Sequence, residues 1–308
     1  MEPIKRMEVP IEIRALKTAN VYLLNNSILF DTGMSENSYN IIKNNIDVKN
    51  IDKIVISHLH IDHIGGAASF YKNHNIPAYI SSDDYDYIKR VDSSKNDYFE
   101  SYSAMMESNG VPDNLLRQIL KFHPMIKFFD YYKNLELNKI DFNIENFDII
   151  NVPGHSPGSI VLYSKQNRSL LSGDHLLGNI TPNISVYSVD HDYLGLYLNS
   201  LEKIKNLDVD TVYPGHGLPF NNYRERINEI QEHHKMRIEK MLRILDGYKT
   251  VYQIASEIEW SKSRHMETMT PMEQNFAIME TMAHVIYMRN HNIIIGDEIK
   301  GLKRYITN

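Results

Sequence analysis

Ser57-His58-Leu59-His60-Ile61-Asp62-His63-Ile64-Gly65-Gly66 is the stretch on which the reading of this chain turns. Three histidines and an aspartate fall between positions 58 and 63, directly after the apolar run Lys53-Ile54-Val55-Ile56. That β-branched run predicts a short strand. Neutral imidazole and carboxylate are the ligands that zinc and similar borderline metals take. A strand that ends and releases a short H-x-H-x-D-H loop can aim these side chains at one point. Gly65 and Gly66 then open a helix with little steric hindrance.

Three later segments repeat the arrangement. Pro153-Gly154-His155-Ser156-Pro157-Gly158 follows the apolar run Phe147 to Val152. Ser172-Gly173-Asp174-His175 follows Ser169-Leu170-Leu171, and Pro214-Gly215-His216-Gly217 follows Thr211-Val212-Tyr213. Each puts one His or Asp on a glycine-containing turn just past a short strand, where a rigid scaffold holds a side chain closely.

H-x-H-x-D-H, PGH-S-PG, GD and PGHG, in this order, resemble the metallo-β-lactamase-fold hydrolase superfamily over roughly residues 10–220. The resemblance implies a four-layer αββα sandwich of the α/β class with the site at one edge of its two sheets. It also implies two divalent metal ions. His58, His60 and His155 would hold the first, Asp62, His63 and His216 the second, and Asp174 would bridge them. Zinc is the expected ion, although iron and manganese suit the same donors. Asp31, in Leu29-Phe30-Asp31-Thr32-Gly33, matches an early aspartate that supports the ligands from behind; a plain turn residue is the competing reading. Two cations about 3.5–4 Å apart lower the pKa of a water between them. The expected chemistry is therefore hydrolysis by a metal-bridging hydroxide, with Asp62 as the catalytic carboxylate that orients it. His74, His123, His191, His233 and His291 lie outside any such motif, and His175 matches no ligand position, so all six are read as packing or surface residues.

Composition narrows the setting. The 308 residues are 42% hydrophobic and 23% charged, ordinary for a globular protein. No cysteine occurs, which excludes disulfides and a thiolate ligand, and so the lactamase branches that use Cys where this chain has Asp174. Met1 to Arg6 contains no apolar leader region and no run approaches a membrane span, so a cytoplasmic enzyme is expected. A net charge of −6 gives no general attraction for nucleic acid.

Two segments depart from the sandwich pattern. A helical insertion is expected at about 83–132, carrying Tyr98, Phe99, Tyr102, Met105, Met106, Phe122, Phe128, Phe129, Tyr131 and Tyr132. It reads mainly as a helical hairpin that buries its stripe, and alternatively as a lid over the metals. Residues 1–221 are expected to form the catalytic domain and 222–308 a second unit. In that unit Ile227, Ile230, His234, Ile238, Met241 and Leu245 follow a helical stripe. Thr250-x-x-Gln253 and Thr270-Pro271-x-Glu273 predict capping boxes. A hairpin with its turn near Gly296-Asp297-Glu298 completes a winged-helix-like fold. The arrangement resembles lactamase-like proteins with a C-terminal winged helix, some of them endoribonucleases.

The tail carries 13 Lys and Arg against 12 Asp and Glu, too balanced for a typical nucleic-acid module. The favoured substrate is thus a small thioester, ester or lactone, of the kind taken by glyoxalase-II-like enzymes. The alternative is single-stranded RNA cleavage by a phosphodiesterase of the endoribonuclease branch. A redox module is disfavoured because no flavodoxin-like extension is present, and a non-catalytic binder because every ligand position is filled. The exposed faces of the insertion and tail leave room for a homodimer.

Overall fold

The structure is a computed structural model that describes residues 4–13, 16–123, 132, 135–260 and 264–308. Its strands are β1 (Lys5–Pro10), β2 (Thr18–Leu24), β3 (Ile28–Phe30), β4 (Lys53–Val55), β5 (Ala78–Ile80), β6 (Leu137–Lys139), β7 (Asp148–Asn151), β8 (Ile160–Ser164), β9 (Ser169–Gly173), β10 (Thr211–Pro214), β11 (Ile294–Ile299) and β12 (Leu302–Thr307). The first six form one sheet in sequential order, antiparallel from β1 to β3 and parallel from β3 to β6. The second sheet runs β10-β9-β8-β7, with β10 parallel to β9 and the other pairs antiparallel.

Period-two alternation explains how the sheets stack. Tyr22, Leu24, Ile28, Phe30 and Val55 of the first sheet meet Ile160, Leu162 and Leu171 of the second in one central cluster. The opposite faces carry the outer layers. Val21, Leu29, Ile54 and Ile80 pack with Tyr39, Ile42, Phe70 and Ile88 from helices Glu36–Asn45, Ala67–His74 and Ser82–Ser93. Val161, Tyr163, Leu170 and Val212 pack with Leu194, Tyr197, Leu201 and Ile204 of helix Tyr193–Lys205. The result is the expected four-layer αββα sandwich.

The same outer cluster continues into the tail, through Ile227, Ile230 and Met241 of helix Tyr223–Ile244, Ile254 of helix Val251–Glu257 and Ile278, Met282 and Val285 of helix Pro271–Asn290. His234 is buried in the first of these, as its stripe position implies. Both capping boxes form, with Pro271 opening the last helix. The tail ends in the two-stranded sheet β11-β12. Its turn differs from expectation: Ile299 pairs with Leu302, and Lys300-Gly301 make the two-residue reversal, both with positive φ (52° and 80°). Gly301 supplies the left-handed backbone that a primed hairpin turn demands; Gly296 lies inside β11 instead.

The insertion forms the crossover between parallel neighbours β5 and β6. Helices Lys95–Ser108 and Asp113–Phe122 bury Tyr102, Met106, Leu115, Leu116 and Ile119 in the outer cluster, while Tyr98 and Phe99 pack on the first sheet's layer. Among the described residues of the stripe, Tyr102, Met106 and Tyr132 are buried, Tyr98, Phe99 and Met105 half-buried and Phe122 exposed. Phe128, Phe129 and Tyr131 lie outside the described residues. The Tyr102 hydroxyl donates to Asn275 Oδ1 at 2.5 Å, which ties the insertion to the tail.

Candidate metal centre

All seven candidate ligands come together at one sheet edge. His58 and His60 follow β4, while Asp62 and His63 occupy the short helix Ile61–Ile64 just beyond it. His155 lies in the loop after β7, Asp174 directly after β9 and His216 just after β10. β7, β9 and β10 run in one direction, so their C-terminal ends share an edge. The donor atoms of His58, His60 and His155 lie within 4.8 Å of one another, as do those of Asp62, His63 and His216. Asp174 faces both groups: Oδ2 is 3.8 Å from His155 Nε2 and 3.4 Å from His216 Nε2, and Oδ1 is 3.4 Å from His63 Nε2. All but His60 are buried.

Outer partners fix which nitrogen of each imidazole points inward. His63 Nδ1 donates to Asp31 Oδ2 at 2.8 Å, His216 Nδ1 to the Thr18 carbonyl at 2.6 Å and His155 Nδ1 to the Asn183 carbonyl at 2.9 Å. Ser57 Oγ donates to Asp31 Oδ2, so it accepts from His58 Nδ1 at 2.9 Å. The Tyr187 hydroxyl donates to the His155 carbonyl and therefore accepts from His60 Nε2 at 2.7 Å. Each ring thus turns one N–H outward. His58 Nε2 and His60 Nδ1 consequently face each other at 3.0 Å, and His63 Nε2 and His216 Nε2 at 3.3 Å. Lone pairs this close need a cation between them. His155 Nε2 and Asp174 Oδ1 are buried without any hydrogen-bond partner, which is costly unless something else satisfies them. The donor set fits divalent metal.

The electrostatics separate the two triads. Burial, then the neighbouring imidazoles, hold the His58 ring well below its usual pKa and push His60 down to about 3. Burial likewise lowers His155. Those rings are neutral, the form that ligates. Burial opposes charge on His63 and His216 too, but Asp174 and the nearby aspartates hold His63 well above its usual value and His216 at about 10. Asp62 and Asp174 stay ionised against burial because these two imidazoles neighbour them. This carboxylate-rich half of the pocket holds cations, as protons or as metal.

Asp31 satisfies both readings made from sequence. It occupies a left-handed turn conformation (φ 66°), and its carboxylate accepts from Ser57 N at 2.7 Å, Ser57 Oγ at 2.8 Å and His63 Nδ1. Gly215 allows Asp174 and His63 to approach: a Cβ there would collide with Asp174 Oδ1 and stand 2.7 Å from the His63 ring. Of the histidines read as packing residues, His74 bonds the Tyr39 hydroxyl, His123 packs against Tyr98, Phe99 and Tyr102, and His175 is buried behind the site against Tyr197.

Sequence reasoning missed Asp84, Tyr187 and Asn183. Asp84 joins two ligand loops: Oδ2 accepts from Leu59 N and Ser156 Oγ at 2.8 Å each, and Oδ1 from Gly158 N at 2.7 Å. Burial pushes its carboxyl up to about 7 against these three donors. In Ser81-Ser82-Asp83-Asp84 it reads only as an acidic first helical turn. Asp84→Ala strands the buried Leu59 and Gly158 N–H groups, each costing about 1–3 kcal/mol, and leaves Ser156 Oγ to Ser159 alone. The expected result is a loss of about 3 kcal/mol or more in denaturant unfolding. An unfolding midpoint equal to the wild type's would remove this role.

Sequence comparison agrees with the geometry. A sequence profile described as the metallo-beta-lactamase superfamily matches residues 15–216, and this chain belongs to that superfamily. It is similar to the "Probable metallo-hydrolase YqjP" of Bacillus subtilis, 24% identical over 226 residues that cover 70% of this chain and 69% of that protein. A "Beta-lactamase-like protein 2 homolog" of Caenorhabditis elegans is 33% identical over 103 residues, which span 33% of this chain and only 32% of that protein. The crystal structure of a metallo-beta-lactamase family protein from Thermus thermophilus shares the fold with a TM-score of 0.78 at 21% identity, covering 99% of this chain and 98% of that one.

Proposed function

We propose that this metallo-hydrolase is binuclear and cleaves a small thioester, ester or lactone. The observation that carries the reading is Asp174 standing between the His58, His60 and His155 triad, whose inward nitrogens bear no proton, and the Asp62, His63 and His216 triad, whose carboxylate surroundings favour a cation. When bound, two divalent ions supply an activated water and an electrophilic seat for the scissile carbonyl oxygen. His58, His60 and His155 would hold one ion and Asp62, His63 and His216 the other. The Asp62 carboxylate, kept ionised beside His63 and His216, accepts a hydrogen bond from the attacking water and orients it. Tyr187 locks His60 and the His155 loop together. The name of the Bacillus relative supports hydrolysis.

Charge favours a small substrate over RNA. The tail's three helices and hairpin suit a winged-helix-like reading, but Arg304 on β12 is spent in a paired contact with Asp297 at 3.1 and 2.8 Å. Purified zinc-loaded protein should turn over an acyl thioester and leave single-stranded RNA intact, with Asp174→Ala as the blank for both. Stripping the metal with a chelator should abolish turnover and zinc should restore it. RNA cleavage without thioester turnover would reverse the assignment.

A further inference from the structure

The tail reaches the candidate metal centre through one residue. The Asn183 carbonyl is the acceptor that fixes His155 Nδ1, at 2.9 Å. Asn183 itself lies in the long connection between β9 and helix Tyr193–Lys205, where no ladder holds it. Its side chain does. Nδ2 donates to Glu280 Oε2 at 2.8 Å and reaches the Phe276 carbonyl at 3.4 Å, while Oδ1 accepts from Ser185 Oγ at 2.9 Å. Glu280 and Phe276 belong to helix Pro271–Asn290, so the anchor lies almost a hundred residues downstream of the loop. Glu280 is buried in turn, with Oε1 3.7 Å from Arg237 Nε on helix Tyr223–Ile244. Arg237 lies over the Trp260 ring at 4.2 Å, so its own position is set by packing.

We infer that Asn183 and Glu280 are positioning residues for the metal, acting through His155, and that the C-terminal unit is therefore part of the metal centre. The inference rests on His155 being a ligand. Burial of Ile184 and Val186 packs the loop against the core but does not by itself set where the Asn183 carbonyl points. A side chain clamped to a buried, ion-paired carboxylate on a packed helix does. Outer partners of this kind change metal affinity by about 10–100-fold when removed.

The test is chelator-competition titration of zinc on the metal-free full-length protein, with bound ions counted by elemental analysis and folding followed by thermal unfolding. Asn183→Ala keeps the backbone carbonyl and removes only the anchor. It should weaken one of the two ions about 10–100-fold and leave the other near its wild-type affinity. Glu280→Gln keeps an acceptor oxygen for Asn183 and should stay within a few-fold of wild type. Glu280→Ala should resemble Asn183→Ala, and the double variant should be no weaker than the worse single one, because both act along one path. If Glu280→Ala fails to fold, Asn183→Ala carries the test alone. Wild-type zinc affinity in folded Asn183→Ala, or losses that add in the double variant, would overturn the inference. Loss of one ion in folded His155→Ala upholds the ligand assignment separately. Two ions retained in His155→Ala would overturn that assignment and this inference with it.

Discussion

Asp174→Ala should leave a folded protein that no longer holds two metal ions and has lost hydrolytic activity by about three orders of magnitude or more. The expectation follows from its place: one carboxylate faces His155 on one side and His63 and His216 on the other. Among the described carboxylates Asp174 is the one with donor atoms of both triads within 4 Å, whereas the ion-pair contacts of Asp62 are to His216 and His63. In the proposed centre Asp174 is shared, so its deletion would remove the electrostatic hold on both ions, and metal stabilisation of developing charge is worth several kcal/mol, about a factor of ten in rate for each 1.4 kcal/mol. The variant should fold, because Asp174 packs against the polar site rather than in a hydrophobic cluster. Elemental analysis beside steady-state kinetics reads both effects. Two ions retained with full turnover would remove Asp174 from the centre.

Asp31→Ala should be the most damaging single change to stability. Its carboxylate is buried and takes hydrogen bonds from Ser57 N, Ser57 Oγ and His63 Nδ1. Removing one member of such a buried pair costs about 3–5 kcal/mol. Alanine must also adopt the positive φ of that turn, roughly 1–2 kcal/mol more. Together these predict a fall in Tm on the order of 10 °C. Zinc affinity should drop as well, because His63 and, through Ser57, His58 lose the acceptor that sets their tautomers. Asp31→Asn separates the two effects. Its amide keeps one acceptor for Ser57 but turns a donor toward another donor, so it should restore part of the stability and little of the metal binding. Unchanged Tm and unchanged affinity in Asp31→Ala would make this aspartate a mere turn residue.

The candidate ligands stood out in the sequence because metal chemistry restricts residue type. Only a few side chains bind such ions, and four strand-end motifs in fixed order leave little freedom. The sandwich came with the family resemblance that those motifs carry, and the short apolar runs mark strands buried on both faces. The supporting shell was not. Thr18 and Asn183 act through backbone carbonyls, which every residue owns. Asp84 and Tyr187 depend on contacts between segments separated by more than seventy and more than a hundred residues, which local pattern does not encode. The hairpin turn was misplaced for a local reason: two glycines were available, and only the one after Lys300 falls where the register closes. The tail's contact with the site was hidden for the same reason as the supporting shell, because it runs through Glu280 and the Phe276 carbonyl, almost a hundred residues from Asn183.

The most direct test of the binuclear centre is a zinc-loaded crystal structure with anomalous diffraction measured at the zinc edge. Two peaks about 3.5–4 Å apart are expected, one against His58, His60 and His155, the other against Asp62, His63 and His216, with Asp174 between them. A single peak, or zinc bound away from these residues, would contradict the account.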